Sequence, residues 1–319
     1  MNLSTPETDA SAPRGAKAPP ASAAVDAGWQ WRAWLRRAWY VWLAVIVVYA
    51  GTGVELFRNW GEDPNYSHGF LMPAAILFFL WYKRDLFRRL PVQPSRWGLA
   101  LIIYSQVQFL LGYLGAEFFL QRTSFLFLIA GLVVFLWGWA HLRSSGFEFA
   151  LALLAIPLPE VIFNQIAFPL QLIASQWAAT ILQFTGIPVF RQGNVLQLPY
   201  RVLDVAEACS GIRSLFSLVA LAMIVAYFLP IRRWLRVVFV LSSIPIAIIA
   251  NAIRVAATGL LGHYVGQEFA TGFFHEFSGW VIFVVAFALL LLEAVLLQRW
   301  SGAEQGLALN KPLPRTEAG

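Results

Sequence analysis

The chain has 319 residues, 59% hydrophobic and 13% charged, with 23 Lys and Arg against 17 Asp and Glu for a formal charge of +6. A composition so apolar excludes an ordinary soluble protein, and the basic excess, gathered in short clusters beside apolar runs, points to membrane topology and away from nucleic acid. One cysteine and four scattered histidines exclude an intrachain disulfide and supply no tetrahedral metal spacing. Phosphate-cradling glycine loops are absent as well, so no cofactor is expected.

Residues 1–28, rich in Ala, Pro, Ser and Thr, cannot bury a core and are expected to be disordered. The first apolar run starts late and is long enough to remain as a span, so no cleavable signal peptide is read. Residues 29–300 are expected to form one polytopic, all-α membrane domain, followed by a flexible tail, 301–319. The expected spans are Ala38–Leu56, Gly69–Tyr82, Trp97–Tyr113, Thr123–Ala140, Phe147–Val161, Ile212–Leu229, Trp234–Ala256 and Gly279–Leu297. Basic clusters at Arg32–Arg37, Lys83–Arg96, Arg143, Arg232–Arg236 and Arg299 all fall on one side, the cytoplasmic one, if about eight spans alternate. The segment Ile162–Gly186 then crosses zero or two times and is too short for two; the alternative is an ordinary ninth span, with one of the other short segments not crossing. Its Asn164, Gln171, Ser175 and Gln183 recur at helical spacing against Ile166, Leu170, Ile173, Trp177 and Ile181, which predicts an amphipathic or re-entrant helix at the outer face.

The lone cysteine, Cys209, sits in Glu207-Ala-Cys-Ser-Gly-Ile-Arg-Ser214, between an irregular stretch with strand-like Val195–Leu198 and the apolar run from Ile212. A thiol at a helix N-terminus is drawn toward thiolate by the dipole; Arg213 adds to this and Glu207 opposes it. The competing reading is a buried small hydrophobe. On the expected topology Cys209 shares the outer side with His68, His275 and the Asn251-Ala-Ile-Arg254 stretch. An arginine at the depth of Arg254 is expensive unless it faces a cavity or partner, and snorkelling to the headgroups is the alternative. A thiol, an imidazole and a guanidinium suffice for acyl transfer: attack on a peptide carbonyl, proton delivery to the leaving amine, and stabilisation of the oxyanion. His275 and His68 both remain candidates for the base. A transporter or polysaccharide-export component, with Arg254, Glu207 and His275 lining a polar path, is the reading from another class.

At these residues the chain resembles the exosortase family, bacterial multi-pass membrane cysteine enzymes that process proteins bearing a C-terminal Pro-Glu-Pro (PEP-CTERM) sorting signal. Glu207–Ser214 is similar to the family's nucleophile motif, Asn251–Arg254 to its arginine motif, and Phe274-His-Glu-Phe-Ser-Gly279 to the stretch with the catalytic histidine. Tyr66-Ser-His-Gly69 with Pro73 and the Ile156-Pro-Leu-Pro159 run are supporting matches. The resemblance implies Cys209 as nucleophile, Arg254 as oxyanion stabiliser and His275 as acid/base. It further implies cleavage at the periplasmic face of the inner membrane, a link to exopolysaccharide genes, and PEP-CTERM proteins and membrane lipids as partners. For the substrate glutamate, Arg213 or Arg191 is the expected cation.

Overall fold

The computed structural model describes residues 39–205, 211–266 and 272–309; Cys209, Glu207, the first 38 residues and the last ten lie outside them. Trp39 to Gly51 form one unit, a stretch of the first helix, and everything below concerns the second, from Thr52 on.

Helix α1 (Trp39–Glu62) stops at Asp63, whose carboxylate accepts from the Asn65 amide at 2.9 Å and caps a 3-10 helix, Pro64–Phe70. Proline suits this first position because the missing N–H would have no helical acceptor there. The chain runs on as α2 (Leu71–Tyr82) and the short basic α3 (Arg84–Arg89). Next, α4 (Trp97–Leu114) and α5 (Phe118–Leu136) form a hairpin. Gln108 donates to Thr123 Oγ1 at 2.7 Å and Gln121 to the Gly112 carbonyl at 3.1 Å. Such interhelical polar links matter where lipid removes the hydrophobic drive for helices to associate.

After α6 (Trp139–Ser144) and α7 (Gly146–Leu154), Pro157 and Pro159 halt the helix. Helix α8 (Glu160–Phe184) then runs for 25 residues through an internal Pro169. Its buried face is Ala167, Ala174, Ser175, Ala178, Ala179 and Leu182, while Ile162, Ile166, Ile173 and Trp177 are exposed. Small residues admit the neighbouring helix closely, and the large apolar ones are left outward, as lipid contact favours. At about 37 Å it is long enough to cross a bilayer, yet it is not among the five helices both long and apolar enough to do so.

An all-α fold was expected, and three short strands depart from it: β1 (Phe190–Gln192), β2 (Val195–Leu198) and β3 (Arg201–Asp204) make an antiparallel meander in the order β1-β2-β3. The reason is local. Val195-Leu-Gln-Leu198 alternates in burial, and Gly193-Asn194 and Pro199-Tyr200 supply the turns. Helices α9 (Gly211–Phe228), α10 (Arg233–Tyr264) and α11 (Gly272–Leu309) complete the described chain. Two of the expected spans are short here, α2 and α7, at about 18 and 14 Å. Five helices are both long and apolar enough to cross a membrane among the described residues, α1, α4, α5, α10 and α11, with α9 a shorter apolar one.

Three buried clusters hold the second unit together. Helix α8, the meander and α10 share Ala178, Leu182, Leu196, Leu203, Val205, Ala252 and Val255. Helices α9, α10 and α11 share Leu218, Ala222, Phe239, Ala247 and Leu290. The third joins Trp60, Tyr66, Met72, Phe79, Leu151 and Ala220. Phe79 and Tyr82 meet Tyr227 and Phe228 at one end of α2, and Tyr66 and His68 meet Phe216 at the other. The bundle therefore has two distinct ends. Lys83, the basic α3 and Arg232–Arg236 lie at the first, and the start of α9 lies at the second.

Candidate active site

Arg254 lies about 32 Å along α10 from Arg233, close to one hydrocarbon thickness. The basic cluster and Arg254 therefore belong to opposite ends of the bundle. Arg254 is half-buried, and Asn251, one turn earlier on the same face, is buried. The guanidinium lies against α11: a Cβ added at Gly279 would come within 2.7 Å of its Cζ and Nη2. With glycine at 279 the guanidinium can lie in this place; a methyl there would push the end of the arginine side chain aside.

A narrow crevice with about 10 Å³ of free space lies here, lined by Ser214 and Leu218 of α9, Asn251 and Arg254 of α10, and Gly279 of α11. A second crevice, between α8, α9 and α10, is lined by Gln171, Ile212 and Leu215 and shares Asn251. Three stretches singled out in the sequence thus converge. Position 275 lies one turn before Gly279 in α11, which helical periodicity places on the same face. Cys209 is flanked by two fixed points. Val205 is fully buried in the cluster that includes Ala252 and Val255, and Ile212 lines the second crevice beside Asn251. Both ends of the cysteine stretch are therefore anchored at the level of α10 that carries Asn251 and Arg254.

The remaining candidates fall elsewhere. His68 is buried on the opposite face of α9, its ring stacked on Phe216 with centroids 6.0 Å apart and its Nε2 3.2 Å from the Leu154 carbonyl. Burial pulls its pKa below the ordinary 6.5, opposed by the carbonyls of Leu154 and Asn65. Arg213 is exposed, and Arg191 donates to the Gly193 carbonyl of its own hairpin at 2.8 Å, also at the surface.

The two supporting stretches do meet. The Leu158 amide donates to the Tyr66 hydroxyl at 3.2 Å, and the Trp60 indole N–H to the Ala155 carbonyl at 2.8 Å. Gly69 passes so close beneath the Trp60 indole that a Cβ would collide with its ring. Burial also raises the Tyr66 pKa above its ordinary 10.0, so it stands as a neutral phenol.

One residue escaped the sequence reading. Arg122, in the second turn of α5, is 4% exposed. With the Asn59 amide oriented so that its oxygen faces the guanidinium, that oxygen accepts from Nη2 at 2.7 Å and Nη1 at 3.2 Å. The signal was available, since an arginine inside the apolar run from Phe118 is as costly as Arg254. Starting the expected span at Thr123 left Arg122 just outside it.

The sequence profile described as Transmembrane exosortase matches residues 60–292, from the Trp60 that pins the 3-10 segment, through the crevice, into α11. The chain belongs to the exosortase family. Exosortases are membrane transpeptidases of the cysteine-peptidase kind that act on PEP-CTERM-bearing substrates. No curated protein and no solved structure matches the chain. This exosortase is accordingly a multi-pass membrane protein of a sorting-signal-processing family, and its crevice lies inside the matched region.

Proposed function

We propose that this exosortase cleaves C-terminal Pro-Glu-Pro sorting signals with Cys209 as nucleophile, His275 as acid/base and Arg254 as oxyanion stabiliser. The reaction end is the one opposite the basic clusters, at the periplasmic face of the bacterial inner membrane. The observation that carries the reading is the crevice in which Arg254 lies against Gly279, one turn from position 275, beside the start of the helix that follows Cys209.

In this mechanism the Cys209 thiolate adds to the scissile carbonyl, and the oxygen gains a negative charge. A guanidinium held by packing meets that charge without reorganising, which is where a preorganised donor contributes most. Collapse of the tetrahedral adduct breaks the C–N bond, and His275 passes a proton to the departing amine. The thioester is then taken by water or by an acceptor nucleophile. A substrate whose transmembrane helix docks from the bilayer presents its signal at the same depth as the crevice.

The test is co-expression with a tagged Pro-Glu-Pro substrate, scoring its processing for the wild type and for Cys209→Ala, Cys209→Ser, Arg254→Ala and His275→Ala. Loss of processing in all four, with each variant still present in the membrane, is the expected result. Full-rate processing by Cys209→Ser would end the thiol mechanism.

A further inference from the structure

Across α9 from the Arg254 crevice lies a larger cleft of about 490 Å³, lined by Asn59, Tyr66, Arg122, Pro157, Pro159 and Phe163 among others. Arg122 supplies its charge. Among the described residues no carboxylate reaches salt-bridge distance of it, and its Nε has no hydrogen-bond partner. Its two terminal nitrogens share one neutral acceptor, the Asn59 oxygen. A guanidinium has five N–H donors in a fixed fork, so most of its capacity is unspent at the wall of an open cleft. Glu55 and Glu117 attract it only from beyond contact distance, and Glu55 is paired with Arg58 at 3.6 Å. Asp63 accepts from the Asn65 amide at 2.9 Å and Glu117 from the Leu120 amide at 2.7 Å, each capping its own helix, while Glu160 is exposed. A carboxylate is the partner that a planar guanidinium fork fits best. The cleft is far larger than a small anion needs, and its proline and aromatic walls suit an extended, proline-flanked peptide.

The position fits as well. Tyr66 stacks on Phe216 of α9 at 6.1 Å, and Phe163 lies 6.5 Å from the same ring. Ser214 and Leu218, on the other side of that helix, line the Arg254 crevice. Cleft and crevice are thus separated by one helix, about 10–12 Å across, and an extended peptide passing round it covers that with about four residues or more. We propose that Arg122 is a specificity-determining residue, and that the cleft around it receives a carboxylate side chain of the substrate peptide a few residues from the cleaved bond. This rests on the sorting-signal reading above, and it replaces Arg213 and Arg191 as the cation for the substrate glutamate.

The test is binding of a fluorescent peptide to the full chain carrying Cys209→Ala in lipid nanodiscs, so that cleavage is not the readout. A Pro-Glu-Pro peptide is compared with its Pro-Gln-Pro counterpart. The Cys209→Ala protein is expected to prefer the glutamate peptide by about tenfold or more, the scale of one charge-assisted contact, and adding Arg122→Gln is expected to bring the ratio to about one. Arg122→Lys, which keeps the charge but not the fork, guards against misfolding and is expected to fall between. A ratio unchanged in both variants overturns the proposal, as does equal loss of both peptides in both variants. Absence of any preference, combined with a phosphatidylglycerol requirement that depends on Arg122, would assign the cleft to lipid headgroups and also overturn it. If the wild type fails to process the tagged substrate, the catalytic reading falls while the binding ratio still reports on Arg122.

Discussion

Two buried cations at opposite ends of the bundle are handled in opposite ways. Lys83 is 7% exposed and closed on all sides: its Nζ donates to Glu148 Oε2 and to the Ser144 carbonyl, each at 2.8 Å, and lies over the Tyr227 ring. Arg122 is as deeply buried, yet its fork meets a neutral amide and opens onto a cleft. Burying a charge is costly wherever it happens. Where a carboxylate meets it at contact distance, the charge belongs to the architecture. Where open space remains beside it, the charge is available to something that arrives. The end with Lys83 is therefore a closed joint between α2, α7 and α9, and the end with Arg122 carries an open cleft.

The contrast can be broken most forcefully at the closed joint. Lys83→Met strands the Glu148 carboxylate and is expected to lower stability by about 3–5 kcal/mol. Adding Glu148→Leu should recover much of that, read as the apparent unfolding midpoint in detergent; no recovery would mean the pair is not what holds the joint. At the open end the expectation reverses. Arg254→Lys should leave the midpoint near wild type while signal processing falls on the order of 10²–10³-fold, the usual loss when an oxyanion donor is displaced. Gly279→Ala sharpens the same point without touching a charged group. Its methyl would press on the Arg254 guanidinium, so processing should drop roughly tenfold, as small misplacements at a reacting centre do. A fully active Gly279→Ala protein would show that the arginine need not sit where it does.

The smallest effect concerns His68. Its folded pKa lies below the ordinary 6.5, so the unfolded chain binds the proton more readily. The stability contributed by the neutral, buried ring is complete above pH 6.5 and is lost as pH falls through the depressed folded value. Thermal unfolding followed downward from neutral pH should therefore decline more steeply for the wild type than for His68→Gln. Parallel curves would mean that the ring is more accessible than its packing on Phe216 implies.

Much of this was legible in the sequence because lipid leaves few options. Apolar runs become helices, basic clusters collect at one end, and an arginine such as Arg254 cannot be accommodated without a reason. The hairpin α4–α5 and the helical stretch after Pro159 could be read in this way. The packing of α8 could not. The amphipathic pattern set Ile166, Ile173 and Trp177 on its apolar, bilayer-facing side, where they are exposed, but it did not show that Ala174, Ala178 and Ala179 would pack against α10. The shortness of α2 and α7 was already legible, since their apolar runs are the briefest of the expected spans; where the 3-10 segment and the Pro157 and Pro159 stretch end them was not.

By itself the sequence determined the helical membrane character, the placement of the basic clusters and the stretches around Cys209, Arg254 and His275. Each of these follows from residue type and spacing within a single segment. Only the tertiary structure decided that Gly279 makes room for the Arg254 guanidinium, that His68 lies on the far side of α9, and that Arg122 fronts an open cleft. These are relations between segments remote along the chain, fixed by which side chains are small enough to let two helices touch.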